Sequence, residues 1–151
     1  MDDITPFRPT IHTQSDLQDA WTRLMTPLGF GRRSVWWLLI AESGSPIPHL
    51  TEIEDADTPP AGEERDAFAG FLRDVVPVVG DSAGENPTRI AFLLSRPGSQ
   101  QVLPLDQEWA AALHDVARRS GLVCEMVHLA TDMGILPLPP DALGSGHLAA
   151  I

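Results

Sequence analysis

The stretch that most constrains this chain is Arg89-Ile-Ala-Phe-Leu-Leu-Ser-Arg-Pro-Gly98, continued by Ser99 to Trp109. Its apolar run stops at a Pro-Gly turn and reopens after Pro104 as an amphipathic helical pattern, so it reads as a buried strand, a loop and a helix. A buried strand needs neighbours on its edges and cover on both faces, which implies a sheet with helices packed on it. Strand-to-helix loops are also where α/β proteins place ligands. This loop offers Ser95, Arg96 and Ser99, but no histidine, no cysteine and no glycine-rich phosphate cradle.

The flanking segments supply the rest of the sheet and its cover. Ser34 to Ala41 is apolar on both faces and reads as a central strand, on which the adjacent Trp36 and Trp37 must point to opposite sides. Ile47 to Ile53 returns antiparallel to it, and Leu122 to Ala130 and Ile135 to Leu138 complete the sheet. Ser15-Asp-Leu-Gln18 reads as a capping box opening a first helix, with Leu17, Trp21, Leu24, Met25 and Leu28 on its inner face. A second helix starts at Glu63 after the acidic loop Glu54 to Gly62, buries Phe68, Phe71, Leu72, Val75 and Val76, and ends at Pro77 and Gly80. The third follows Pro104 and closes with Arg118, Arg119 and Gly121. The expected organisation is an extended arm over 1–14, one α/β domain of the α+β type over 15–138 and a flexible tail over 139–151. The domain has three layers, a mixed sheet of about five strands flanked by about three helices.

Charge and composition exclude several function classes. With 21 acidic against 10 basic residues the chain carries −11, which repels nucleic acid and anionic membranes. The doublets Arg32-Arg33 and Arg118-Arg119 read as solvated element ends rather than phosphate clamps. A lone Cys124 in an apolar stretch, no basic and apolar leader, and no apolar run of roughly 20 residues together point to a soluble cytoplasmic protein.

Gly80-Asp-Ser-Ala-Gly84 matches a Gly-x-Ser-x-Gly nucleophile elbow, with Asp132 and His147 following in the order of a hydrolase triad. An elbow requires a strand before the serine and a helix after it. Here a helical stripe precedes and Glu85-Asn-Pro87 leads into a strand, so the segment reads as an exposed, mobile loop and Ser82 as no nucleophile. His12, His49, His114, His128 and His147 show none of the spacings that hold a metal, and no cofactor is expected.

The order of elements from about Leu17 to Leu138 resembles the JAB/JAMM metalloprotease-like domain, most nearly its RadC type. The motifs that carry the resemblance are Leu38-Leu-Ile-Ala-Glu-Ser-Gly44, Leu94-Ser-Arg-Pro-Gly-Ser99, Pro104-Leu-Asp-Gln-Glu108 and Val127-His-Leu-Ala-Thr-Asp-Met-Gly134. In that family two histidines and an aspartate hold zinc while a serine and a glutamate assist the activated water. Carried over position by position, the histidines become Leu94 and Arg96, the serine becomes Leu105, and the aspartate becomes Glu108 or Asp106. Leucine and guanidinium donate nothing to zinc. The resemblance therefore implies a JAMM-like fold, with a cytidine-deaminase-like fold as the alternative, and a degenerate domain without the metal motif.

Three functions fit these readings. The first is a non-catalytic interaction or scaffold domain whose partner is another protein or a second copy, met through the emptied cleft, the acidic loop or whichever of Trp36 and Trp37 stands open. The second is an enzyme of another kind, and the third a small-anion sensor, both using Ser95, Arg96, Ser99, Glu108 and His128 around the strand end. The first is favoured.

Overall fold

A computed structural model describes residues 10–47, 50–54 and 56–139. Most of the expected arm, the tail from 140 onward, and His49, Asp55 and His147 lie outside the described residues. Among those described are three helices, α1 (Gln14–Met25), α2 (Gly62–Ala83) and α3 (Pro104–Ser120). Six strands accompany them: β1 (Ser34–Ala41), β2 (Thr51–Ile53), β3 (Pro87–Ser95), β4 (Val123–Cys124), β5 (His128–Thr131) and β6 (Gly134–Pro137).

The strand order is β2-β1-β3-β5-β6, with β4 pairing on β3 in line with β5. β3 is the axis. It runs antiparallel to β1 from Ser95 opposite Ser34 to Pro87 opposite Ala41, and parallel to β4 and β5, which the chain reaches by crossing through α3. The sheet is therefore mixed, and the fold is the expected three-layer α/β arrangement.

Strand alternation builds two cores from one sheet. Val35, Trp37, Leu39, Ile90, Phe92 and Leu94 pack under Leu72 of α2 and Trp109, Leu113 and Val116 of α3. On the opposite face Leu38, Ile40, Ala91, Leu93 and Ala130 pack against Leu17, Trp21 and Met25 of α1. Each fully buried Leu, Ile or Phe contributes about 1.5–3 kcal/mol. Trp37 is buried in the first core and Trp36 half-buried against the second, so the adjacent indoles face opposite sides.

Three local expectations are corrected. The cap of α1 is Thr13, whose hydroxyl accepts from the Asp16 N–H at 3.0 Å while the Asp16 carboxylate accepts from the Thr13 N–H at 3.1 Å. Gln18, expected in the box, instead donates to the Ile135 carbonyl and ties α1 to β6. Ile11, expected in an extended arm, is fully buried, and its N–H bonds to Gly44 O at 2.8 Å. The expected strand Leu122 to Ala130 is split into β4 and β5, although the Glu125 N–H still reaches Ile90 O across the gap.

A fourth correction concerns α2, which continues through Pro77 and Gly80 to Ala83. An interior proline disfavours a helix by about 3 kcal/mol, yet Val75, Val76 and Val79 on either side of it pack on the core and hold the turn. Gly80 to Ala83 is thus the last helical turn rather than a loop, and Ser82 is exposed on it. Gly84 takes φ 74° as the left-handed cap and donates to Gly80 O at 2.8 Å. A Cβ on Gly80 would stand 2.9 Å from Glu85 O and 3.0 Å from Pro87 Cδ. Both glycines of the motif are steric requirements of the α2–β3 turn. Gly80→Ala should accordingly lower stability by about 1–3 kcal/mol, whereas Ser82→Ala should stay within about 0.5 kcal/mol, both read from urea unfolding midpoints.

Candidate functional site

β3 ends by delivering Arg96 onto the face covered by α2 and α3, two residues beyond Leu94. Ten positions later Asp106 sits in the first turn of α3, where Pro104 suits the opening and the Asp106 carboxylate turns back to accept the Leu103 N–H at 2.8 Å. The two side chains meet. Arg96 Nε lies 3.0 and 3.2 Å from the two Asp106 oxygens and Nη2 lies 2.9 Å from Oδ2. Arg96 Nη1 donates to Pro97 O and Ser99 O, and Nη2 also donates to Gln101 O. Arg33, from the loop before β1, adds its Nη1 at 2.7 Å from Asp106 Oδ1.

A guanidinium has five N–H donors, and all five of Arg96 are engaged within the chain. The Asp106 side chain has no exposed surface, that of Arg96 only 6% and that of Arg33 11%. Burial by itself would raise the Asp106 pKa. The bonds from Arg96, from the Leu103 N–H and from Arg33 outweigh that and hold it below the ordinary carboxylate range. The arrangement is a charged knot closing the strand-to-helix junction, and Arg96 has no donor to offer an incoming anion. The donors expected to grip a carboxylate or phosphate beside Ser99 are engaged by the chain's own oxygens.

The other expected site residues do not converge. Ser95 and His128 are buried on the α1 face, with Trp36 donating from its indole nitrogen to Ser95 Oγ at 2.9 Å. Arg96 and Trp37 occupy the opposite face. Ser99 is exposed, and only its backbone carbonyl takes part, as an acceptor for Arg96. Glu108 is exposed on α3 and lines an open cavity of about 420 Å³ with Arg65 and Thr58.

His128 is fully buried, and its Nδ1 stands 3.1 Å from Met126 O. A carbonyl can only accept, so Nδ1 carries the proton and Nε2 is left as a bare lone pair with no partner among the described residues. Burial drives its pKa down to about 4 against a slight upward pull from the Met126 bond. Burial likewise pushes the Cys124 thiol up to about 12, far from a reactive thiolate. Asp132, a member of the supposed triad, accepts from the N–H groups of Gly98 at 2.9 Å and Phe30 at 3.1 Å, which lower its pKa. It is a staple between two loops. Among the described residues no three His, Cys, Asp or Glu side chains group as metal ligands.

Arg33 and Asp106 are the residues that sequence reasoning undervalued. Arg33 stood in a doublet expected to be solvated; only Arg32 behaves so, pairing with Glu54 at the surface, while Arg33 turns inward. Comparison with protein-family models, curated proteins and solved structures found no match.

Two predictions follow from this geometry. Asp106→Ala leaves two guanidinium groups facing each other without their carboxylate and should lower unfolding free energy by about 3–5 kcal/mol. The folded pKa of His128 lies below the ordinary value of 6.5, so unfolding takes up a proton between pH 6.5 and about 4. Stability from this source falls as pH drops through that window, by up to about 3 kcal/mol, and is level below it. In His128→Gln that part of the slope should vanish, so the wild-type and variant unfolding energies should converge or cross between pH 7 and pH 4.5; a constant difference would refute the assignment.

Proposed function

We propose that this chain is a non-catalytic protein-interaction domain, a degenerate JAMM-like scaffold in which an internal ion pair occupies the place of a metal centre. One observation carries the reading: at the junction of β3 and α3, where the resemblance puts zinc ligands, Leu94 belongs to the apolar core and Arg96 is saturated by Asp106 and the carbonyls of Pro97, Ser99 and Gln101. A group without free valence neither activates water nor holds a substrate. The separation of Ser95 and His128, buried on the α1 face, from Glu108, exposed on α3, adds support, because general acid–base work needs its groups within hydrogen-bond reach of one reacting atom. Trp36 is the weaker anchor for a partner, its indole N–H being committed to Ser95.

The purified chain should carry far less than one zinc, and in extracts of its own host it should migrate well above its 16.4 kDa, in an assembly with a different chain. One zinc per chain surviving mild chelation, or a free monomer in the extract, would overturn the reading.

A further inference from the structure

The second half of α2 is covered less than its sequence asks. From Phe71 it reads Phe-Leu-Arg-Asp-Val-Val-Pro-Val-Val, apolar nearly all round, and a helix of that kind is ordinarily buried. Of all α2 only Ala69 and Leu72 are buried, while Phe71 is 53% and Val78 66% exposed. At about 100° per residue, Phe71, Asp74, Val78 and Asp81 fall within an arc of roughly 80°. The outer face therefore alternates two apolar side chains with two carboxylates. The Phe71 ring rests edge-on against Trp37 with centroids 6.3 Å apart, which holds it in place at the surface.

This stripe runs into an open cavity of about 410 Å³ at the helix end, bounded by Pro77, Gly80, Asp81 and Glu85. The last turn of α2 holds no basic residue, so Asp81 adds charge to a helix end that is already negative. A cation seated there meets Asp81, Glu85 and the helix dipole together. A second copy of this chain would bring −11 and the same carboxylates, and an anionic polymer or surface is repelled for the same reason.

The geometry points to the outer face of α2 from Phe71 to Asp81, with Glu85 just beyond its cap, as the docking surface for a basic amphipathic helix of a different protein. Its apolar side chains would lie on Phe71 and Val78, with an arginine or lysine in the cavity at Asp81 and Glu85. This assignment rests on the interaction-domain reading and adds to it the surface and the partner's chemistry.

The test is selection of random peptides of about 16 residues, enough for several helical turns, displayed on phage against the full chain. Enriched peptides should be net positive, with apolar and basic residues at helical spacing. Their affinity, measured by fluorescence anisotropy, should fall about tenfold or more in Phe71→Ala and in Asp81→Asn. Asp19→Asn, the same charge change at an exposed position on α1, should alter it by less than about twofold. Unchanged circular dichroism in Asp81→Asn keeps the result independent of folding. Neutral or acidic winners, no winners at all, or equal losses in Asp19→Asn and Asp81→Asn would overturn the proposal. Peptides indifferent to the α2 variants but lost in Trp36→Ala would overturn this surface and leave the interaction reading standing. A dimer in sedimentation that Val78→Asp abolishes would replace the basic partner with a second copy. Tightly held zinc would remove the underlying reading itself.

Discussion

The carboxylate of Asp106 is the contact on which the rest of the architecture leans. Without exposed surface, it joins the end of β3 through Arg96, the start of α3 through the Leu103 N–H, and the loop before β1 through Arg33. A lone buried carboxylate would be driven to take up a proton; two guanidinium groups and one N–H keep it ionised. The price falls on the loop, whose carbonyls at Pro97, Ser99 and Gln101 turn inward to fill the remaining Arg96 donors. Asp132 repeats the device nearby, drawing the backbones of Gly98 and Phe30 to one point. At the sheet end where α/β proteins commonly keep a ligand crevice, two carboxylates of the chain itself thus tie the loops together.

How much of this was legible depended on whether the deciding force was local. β1 and β3 could be read because segments apolar on both faces have few alternatives to a covered central strand, and α3 because Pro104 and Gly121, the latter at φ 87°, mark its two ends. The start of α1 is ambiguous in the sequence because Thr13-x-x-Asp16 and Ser15-x-x-Gln18 are both plausible boxes. The first wins with Gln18 free to reach the Ile135 carbonyl far along the chain, a contact no window of sequence contains. The length of α2 is not legible locally because the rule that proline ends a helix gives way to the packing of Val75, Val76 and Val79.

The candidate site was less legible than the fold, and for a different reason. Residue type announces a chemistry, but its partner is set by tertiary approach. Arg96 looked available because Asp106 lies ten positions away across a loop. Part of the placement is legible in the sequence: Ser95 and Arg96 are neighbours at the end of one strand, so strand alternation sends them to opposite faces. They never belonged to one cleft, and His128, paired with Leu93 in the sheet, follows Ser95 to the α1 side.

The same preference for internal pairing shapes the surface. All ten basic residues are arginines, and those with described partners bind the chain's own oxygens. Arg65 holds Asp115, Arg119 holds both Asp66 and Asp115, and Arg73 holds the Arg119 carbonyl, so α2 is bound to α3 through its first half. Beyond Arg73 no ion pair among the described residues continues this seam, and the carboxylates of Asp74 and Asp81 stay on the surface beside Phe71 and Val78. One half of the helix is thereby fixed as a rigid support while the other is left with apolar area and unneutralised charge. Apolar area provides affinity to any partner of matching shape, and the carboxylates decide which partner by rejecting those of their own sign.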